Sequence, residues 1–187
     1  MGESNQSSIK RIETDRLYLY PLELPQLEEA IRDADALCRR LGVEPGSPYG
    51  FFERHRRRPV YTAKRVIVRD QPRSWLLATT WFIVLKETMT LAGEAGFKGP
   101  PSVGEIEIGY GLKTEARGKG YMAEAVEMLC RIAFAQTEYA VRTVSAKTLP
   151  DNIKSHQVLE KNGFTRDGEI GKYWRWVKRL KDMKECP

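Results

Sequence analysis

Histidine and cysteine are scarce in this sequence: two histidines and three cysteines among 187 residues. His55 and His156 lie far apart, and Cys38, Cys130 and Cys186 are widely spaced, odd in number and form no CxxC pair. A zinc site or a disulfide framework is therefore not expected, no metal is called for, and free thiols fit a reducing compartment. Long apolar runs are also missing. None nears the ~18 residues that span a bilayer, so no membrane partner is expected. The opening MGESNQSSIKRIETD has no apolar core of the signal-peptide kind, which predicts a cytoplasmic protein. Internal repeats and low-complexity tracts are absent.

What is present describes a folded chain. Hydrophobic residues make up 41% and charged residues 30%, a balance that excludes general disorder. The length suits one domain, residues 11–183, behind a loose tail at 1–10. The formal net charge is +6, concentrated in RHRRRP (Arg54–Pro59) and KYWRWVKRLK (Lys172–Lys181). Such charge favours an anionic partner, a phosphorylated cofactor, an acidic substrate or nucleic acid; a solvated surface is the plain alternative.

Periodicity gives the elements. RLYLYPL alternates, so Leu17–Leu22 reads as a strand. PQLEEAIRDADALCRRLG keeps helical spacing, with Pro25 in its first turn and Gly42 at its end. A second helix is expected over roughly Val60–Val68. SWLLATTWFIVLKE and MTLAGEAGFK read as strands. In EIEIGYGL, Ile106, Ile108, Tyr110 and Leu112 take one face and Glu105, Glu107, Gly109 and Gly111 the other. A helix follows from Tyr121, with Cys130 on its apolar side. VRTVSAKT is a strand, PDNIKSHQVLEKNGF a short helix capped by Asp151 or Asn152, and FTRDG with KYWRWVKR a closing hairpin connected at about Gly168–Gly171. The tryptophans read as core or strand-face residues. The class is mixed α/β: a mostly antiparallel mixed sheet of about seven strands flanked by about four helices.

The chemistry gathers at GYGLKTEARGKGYMAEAV. A glycine-punctuated basic turn precedes a good helix, whose first N–H groups lack intrahelical partners and whose dipole favours an anion. Glycine lets backbone approach that anion closely, so phosphate is the expected ligand. A P-loop is excluded, because Gly118-Lys119 is followed by Gly120 rather than Ser or Thr. GKGYMA matches the letters of a dinucleotide fingerprint, but lacks its early βαβ setting and its acid about twenty residues on.

Four segments in order resemble the GNAT acyltransferases, and within them the ribosomal-protein N-acetyltransferase branch. They are Thr14–Leu22 (TDRLxLxPL), Glu107–Tyr110 (EIGY), Arg117–Met122 ([QR]xxGx[GA], with Met122 in the last place), and Asn152, Ser155, Val158–Lys161, Gly163 and Phe164 (NxxSxxVLEKxGF). The resemblance spans about residues 11–180. It implies acetyl-coenzyme A as co-substrate, with the amides of Arg117, Gly118, Lys119, Gly120, Tyr121 and Met122 around its pyrophosphate. Leu112 and Lys113 would then contact the pantetheine arm, and Asn152 would hydrogen-bond the cofactor. The acceptor would be a primary amine on a peptide N-terminus or a small molecule, the protein a monomer or homodimer. A non-enzymatic acyl-coenzyme A- or nucleic-acid-binding module of the same fold is the alternative.

Acyl transfer to an amine needs a proton removed. A lysine side chain is neutral only about once in a few thousand at pH 7, an α-amine about once in ten, so an α-amine asks far less of a base. Glu107, on the glycine side of its strand and in the position the resemblance favours, is the expected base, with Glu105 its runner-up. As the general acid, many relatives place a tyrosine seven residues after the helix asparagine, where this chain has Leu159. The branch resemblance suggests Ser155 instead.

Overall fold

Eight strands form one sheet: β1 (Ile12–Glu13), β2 (Leu17–Pro21), β3 (Thr80–Leu85), β4 (Thr90–Phe97), β5 (Glu105–Leu112), β6 (Thr143–Thr148), β7 (Thr165–Ile170) and β8 (Tyr173–Arg179). Their spatial order is β1-β2-β3-β4-β5-β6-β8-β7. Only β5 and β6 run parallel; every other neighbouring pair is antiparallel. The helices are α1 (Leu24–Arg40), α2 (Phe51–Asp70), α3 (Tyr121–Phe134) and α4 (Ile153–Lys161). The computed structural model describes residues 11–48, 51–102 and 104–182, the side chains of 51–56 and 182 excepted. The expected tail at 1–10, Cys186 and the side chains of Arg54, His55 and Arg56 lie outside the described residues.

The two faces of the sheet carry separate cores. On one, α3 buries Ala125, Val126, Leu129 and Cys130 against Leu17, Ile83, Ile106 and Ile108. On the other, α1 and α2 bury Leu27, Leu37, Tyr61 and Val68 against Tyr20, Phe82 and Val84. Strand alternation sends neighbouring residues to opposite cores, which is why one sheet serves both.

Three expectations need correcting. The second helix is 20 residues long, not confined to Val60–Val68, and Pro59 lies inside it. Proline costs a helix hydrogen bond, but burial of Tyr61 and Val68 on the α1 side offsets that cost. Ser74–Leu77, expected as strand, belongs to a 3-10 segment, Pro72–Leu77, closed by the Ala78 and Thr79 N–H groups on the Trp75 carbonyl. The last hairpin turns more tightly than Gly168–Gly171, because β7 continues through Gly168 to Ile170 with a bulge between Arg166 and Glu169. In addition, α1 kinks at Asp33 (φ −153°, ψ 100°), whose side chain caps a fresh helical start through Asp35 and Ala36 N–H.

The consequence for function lies between β5 and β6. They pair only over Glu105–Glu107 and Thr143–Ser145. Beyond that, β4 holds β5 out to Leu112, while β8 holds β6 out to Thr148. The two arms part, and the sheet opens at its middle.

Candidate active site

The opening exposes backbone. Lys98 N–H donates to Glu107 O (2.7 Å) and Lys113 N–H to Ala92 O (2.8 Å), so the odd-numbered residues of β5 spend their peptide groups on β4. Antiparallel pairing alternates these directions. Ile108, Tyr110 and Leu112 therefore turn theirs into the gap. The Tyr110 hydroxyl reaches across to the Ser155 carbonyl on α4 (3.3 Å). Burial pushes the Tyr110 phenol above its ordinary pKa, so it stays protonated. Two cavities, each of about 690 Å³, meet at this gap and share Tyr110, Gly111, Leu112, Asn152 and Ser155.

The first cavity lies at the glycine turn and the start of α3, with Arg117, Gly118, Gly120 and Met122 in its wall and α4 opposite. Gly118 (φ 77°) and Gly120 (φ 80°) are left-handed, a conformation that side chains disfavour. Gly120 caps α3 without any side-chain hydrogen bond, so the first amides of the helix are not covered by a capping group.

The turn is braced from behind. Thr14 Oγ1 and Arg16 N–H donate to Glu124 Oε1 (2.6 and 2.8 Å), and Arg16 Nε donates to Oε2 (2.7 Å). Arg16 also reaches the Lys119 carbonyl (2.9 Å) and lies over the Tyr121 ring. Burial works to raise the Glu124 pKa, but the hydrogen bonds from Thr14 and Arg16 outweigh it and hold the carboxyl below its usual range. Thr14 and Arg16 thus act as a buttress for the turn.

The expected site residues divide. Leu112, Gly118, Gly120, Met122, Asn152 and Ser155 come together at the gap or the turn. Arg117 is exposed, and its Nε holds the Leu112 carbonyl (2.9 Å). Lys119 is exposed beside it. Asn152 caps α4, accepting from Ser155 N–H (3.3 Å). Lys113 does not face this cavity. It is 1% exposed, and its ammonium donates to Pro45 O and to Ser47 O, the latter at 2.7 Å, tying down the loop after α1.

The second cavity, under α2, carries five charged side chains in a largely apolar wall: Arg57, Lys64, Glu94, Lys98 and Lys147. Glu94 accepts from Arg57 and from the Tyr61 hydroxyl. Lys64, 8% exposed, donates to the Phe97 carbonyl. Burial, with Lys98 nearby, lowers its pKa from 10.5 to about 8. Glu107 sits behind this wall and receives both Lys98 and Lys147, the latter at 2.9 Å. Burial works to raise its pKa, but the bonds from Lys147 and Lys98 outweigh that and keep it lowered. Glu105 instead pairs with Arg175 (2.7 Å).

Sequence reasoning missed Arg57, Tyr61, Lys64 and Glu94. The signal was helical spacing: 57, 61, 64 and 68 lie on one face. Beginning the helix at Val60 cut that face in two. Arg57 is likewise no part of a solvated charge run, because it turns inward to Glu94.

Among the described residues no group of three or more histidine, cysteine and acidic side chains is placed to hold a metal, and no helix is long and apolar enough to cross a membrane. Residues 16–165 match the family model described as an acetyltransferase (GNAT) domain. The chain is 29% identical over 170 residues to the uncharacterized N-acetyltransferase YjdG of Bacillus subtilis (strain 168), covering 89% of this chain and 96% of that one. Two solved structures share the fold. One is the ribosomal-protein-S5-alanine acetyltransferase of Vibrio fischeri (TM-score 0.63, 21% identity, 94% of this chain and 99% of that one). The other is the microcin C7 self-immunity acetyltransferase MccE, in complex with acetyl-CoA and AMP (TM-score 0.58, 18% identity, 89% and 94%).

Proposed function

Because the chain belongs to the acetyltransferase (GNAT) family, we propose that it transfers the acetyl group of acetyl-coenzyme A directly to a primary amine. The observation that carries this reading is the junction of two cavities at the unpaired edge of β5, one walled by an uncapped helix start and the other by ionisable side chains. The residues fit the donor. Left-handed glycines at 118 and 120 leave room for phosphate oxygens at the α3 amides, with Arg117 and Lys119 adding charge. The gap-facing peptide groups of Tyr110, and the Leu112 N–H whose carbonyl already holds Arg117, suit an amide-rich arm laid along them as a further strand would be. Asn152 lies where that arm would pass between β5 and α4. Acetyl-coenzyme A would supply a thioester, a carbonyl already activated for attack by an amine.

In the transfer a nitrogen–carbon bond forms, the carbon–sulfur bond breaks, the amine gives up a proton and the departing sulfur gains one. A gap-facing N–H of β5 is suited to polarise the carbonyl; Leu112 can serve, whereas the Lys113 amide is already bonded to Ala92. For the amine proton there are two carboxylates. Glu107 is the one the strand pattern selects, acting through water. Glu94 is favoured by its place in the cavity wall, since Glu107 lies behind two lysines. Ser155, at the junction of the cavities, is placed to serve the leaving sulfur.

Free-thiol release from acetyl-coenzyme A with a panel of amines and peptides tests the activity. A protein that fails to bind coenzyme A overturns the reading. The non-enzymatic nucleic-acid module is weakened at two of its expected contacts, because Arg57 is turned inward and Arg175 is engaged by Glu105 and Asp167.

A further inference from the structure

We propose that the acceptor is a carboxylate-bearing amine, a small molecule of the amino-acid kind, and that Lys64 is the anchor for its carboxylate. This rests on the acetyltransferase reading and adds the chemical class of the amine.

The argument begins with charge matching in the second cavity. Four cations, Arg57, Lys64, Lys98 and Lys147, line it. Two carboxylates answer them: Glu94 takes Arg57, and Glu107 is shared by Lys98 and Lys147. Among the described residues the excess is two positive charges, and one of them is Lys64. Lys64 is 8% exposed as a residue, yet among the described residues the only hydrogen-bond partner of its ammonium is the Phe97 carbonyl. An ammonium carries three donors, and a buried charge is costly without a counter-charge. A carboxylate brought in by a ligand would supply one.

The same field disfavours other acceptors. A simple amine or polyamine enters as a cation and meets net positive charge. An amine that carries its own carboxylate is attracted at one end. At its other end, the surrounding cations lower the pKa of its ammonium and so release the nitrogen lone pair needed for attack. The cavity volume of about 690 Å³ lies in the range of small-molecule sites, roughly 300–1,000 Å³. Burial has lowered the Lys64 pKa to about 8, and a carboxylate bonded to its nitrogen would raise it again.

The test uses matched pairs: α-, β- and γ-amino acids, each beside its own carboxamide, assayed for kcat/KM with saturating acetyl-coenzyme A and for binding by calorimetry. The carboxylate member should be preferred by at least about tenfold, as a charge-assisted hydrogen bond requires. Lys64→Met, which keeps an unbranched buried chain, should collapse that preference, and Lys64→Arg should restore part of it. Coenzyme A affinity shows that each variant is folded. Amides that bind and react as well as their acids, or a preference that survives in Lys64→Met, overturn the proposal while the acetyltransferase reading stands. Failure of the wild type to bind acetyl-coenzyme A overturns the reading beneath it.

Discussion

The two cavities that meet at β5 are built from different materials. The one beside α3 is made of backbone: left-handed glycines, an uncapped helix start and turned-out peptide groups. The one beside α2 is made of side chains from α2, β4 and β6, arranged as ion pairs. A backbone site suits a ligand that never changes, because it depends on local conformation and not on which side chains surround it. A side-chain site can be retuned one residue at a time while the fold stays. On this reading the donor is read by the first and the acceptor by the second.

The sharpest way to break the comparison is to remove charge from the second cavity and look for an effect in the first. Glu94→Gln keeps the shape and the hydrogen-bond acceptor but abolishes the carboxylate. If Glu94 takes the amine proton, turnover should fall by about a hundredfold, the usual scale for a general base, with coenzyme A affinity little altered. Glu107→Gln is the control: it frees Lys98 and Lys147, and a smaller loss of turnover is expected. A larger loss with Glu107→Gln would return the base to the strand position first selected. Weakened coenzyme A binding in Glu94→Gln would join the two cavities into one site.

The converse experiment acts on backbone. Gly120→Asp forces a side chain into a left-handed position, 3.4 Å from an Arg16 nitrogen, and sets a carboxylate against phosphate. Calorimetry should show coenzyme A bound at least about tenfold more weakly, roughly 1.4 kcal/mol. Unchanged affinity in a folded protein would remove the turn from the donor site.

These materials also explain what could be read from sequence. The alternation of EIEIGYGL and the glycines at 118 and 120 report local conformation, so the strand, the turn and the start of α3 were legible at their residues. Asn152 was legible as a cap for the same reason. The second cavity depends on contacts across the fold. Arg57 and Glu94 lie 37 residues apart, and nothing in LAGEAGF says that its one acid meets a helix. Periodicity put Glu107 on the glycine side of its strand, yet two lysines from other segments hold its carboxylate. Pro59 reads locally as a helix breaker, and only packing on α1 overrules it. Lys113 is expected beside the proposed cofactor because it directly follows β5; its side chain instead runs to the loop at Pro45 and Ser47.

A residue shared by both cavities measures how separate they are. Asn152 caps α4 through Ser155 N–H and borders each cavity. Asn152→Ala should cost ~1 kcal/mol of stability, as lost caps do. On the proposed site it should also weaken coenzyme A by a few-fold. Chemical denaturation and calorimetry on one preparation separate the two effects. A stability loss with unchanged cofactor affinity would reduce Asn152 to a cap.

The smallest expected effect is a pH dependence that belongs to the second cavity alone. Burial lowers the Lys64 pKa from 10.5 in the unfolded chain to about 8 in the fold. Below about pH 8 both states hold the proton, and the buried charge is a constant cost. Between about 8 and 10.5 the unfolded chain keeps a proton that the folded chain has released, so Lys64 makes stability rise with pH in that window. Other groups titrate nearby, among them Lys113, whose pKa burial also lowers. These are common to the wild type and Lys64→Met and cancel in the difference. Denaturant unfolding at pH 7 and pH 9 should therefore give the wild type a gain over the variant of about 1 kcal/mol. Equal increments in the two proteins would mean that the Lys64 ammonium is already answered by an anion inside the fold. Lys64 would then have no charge left over for a substrate to meet.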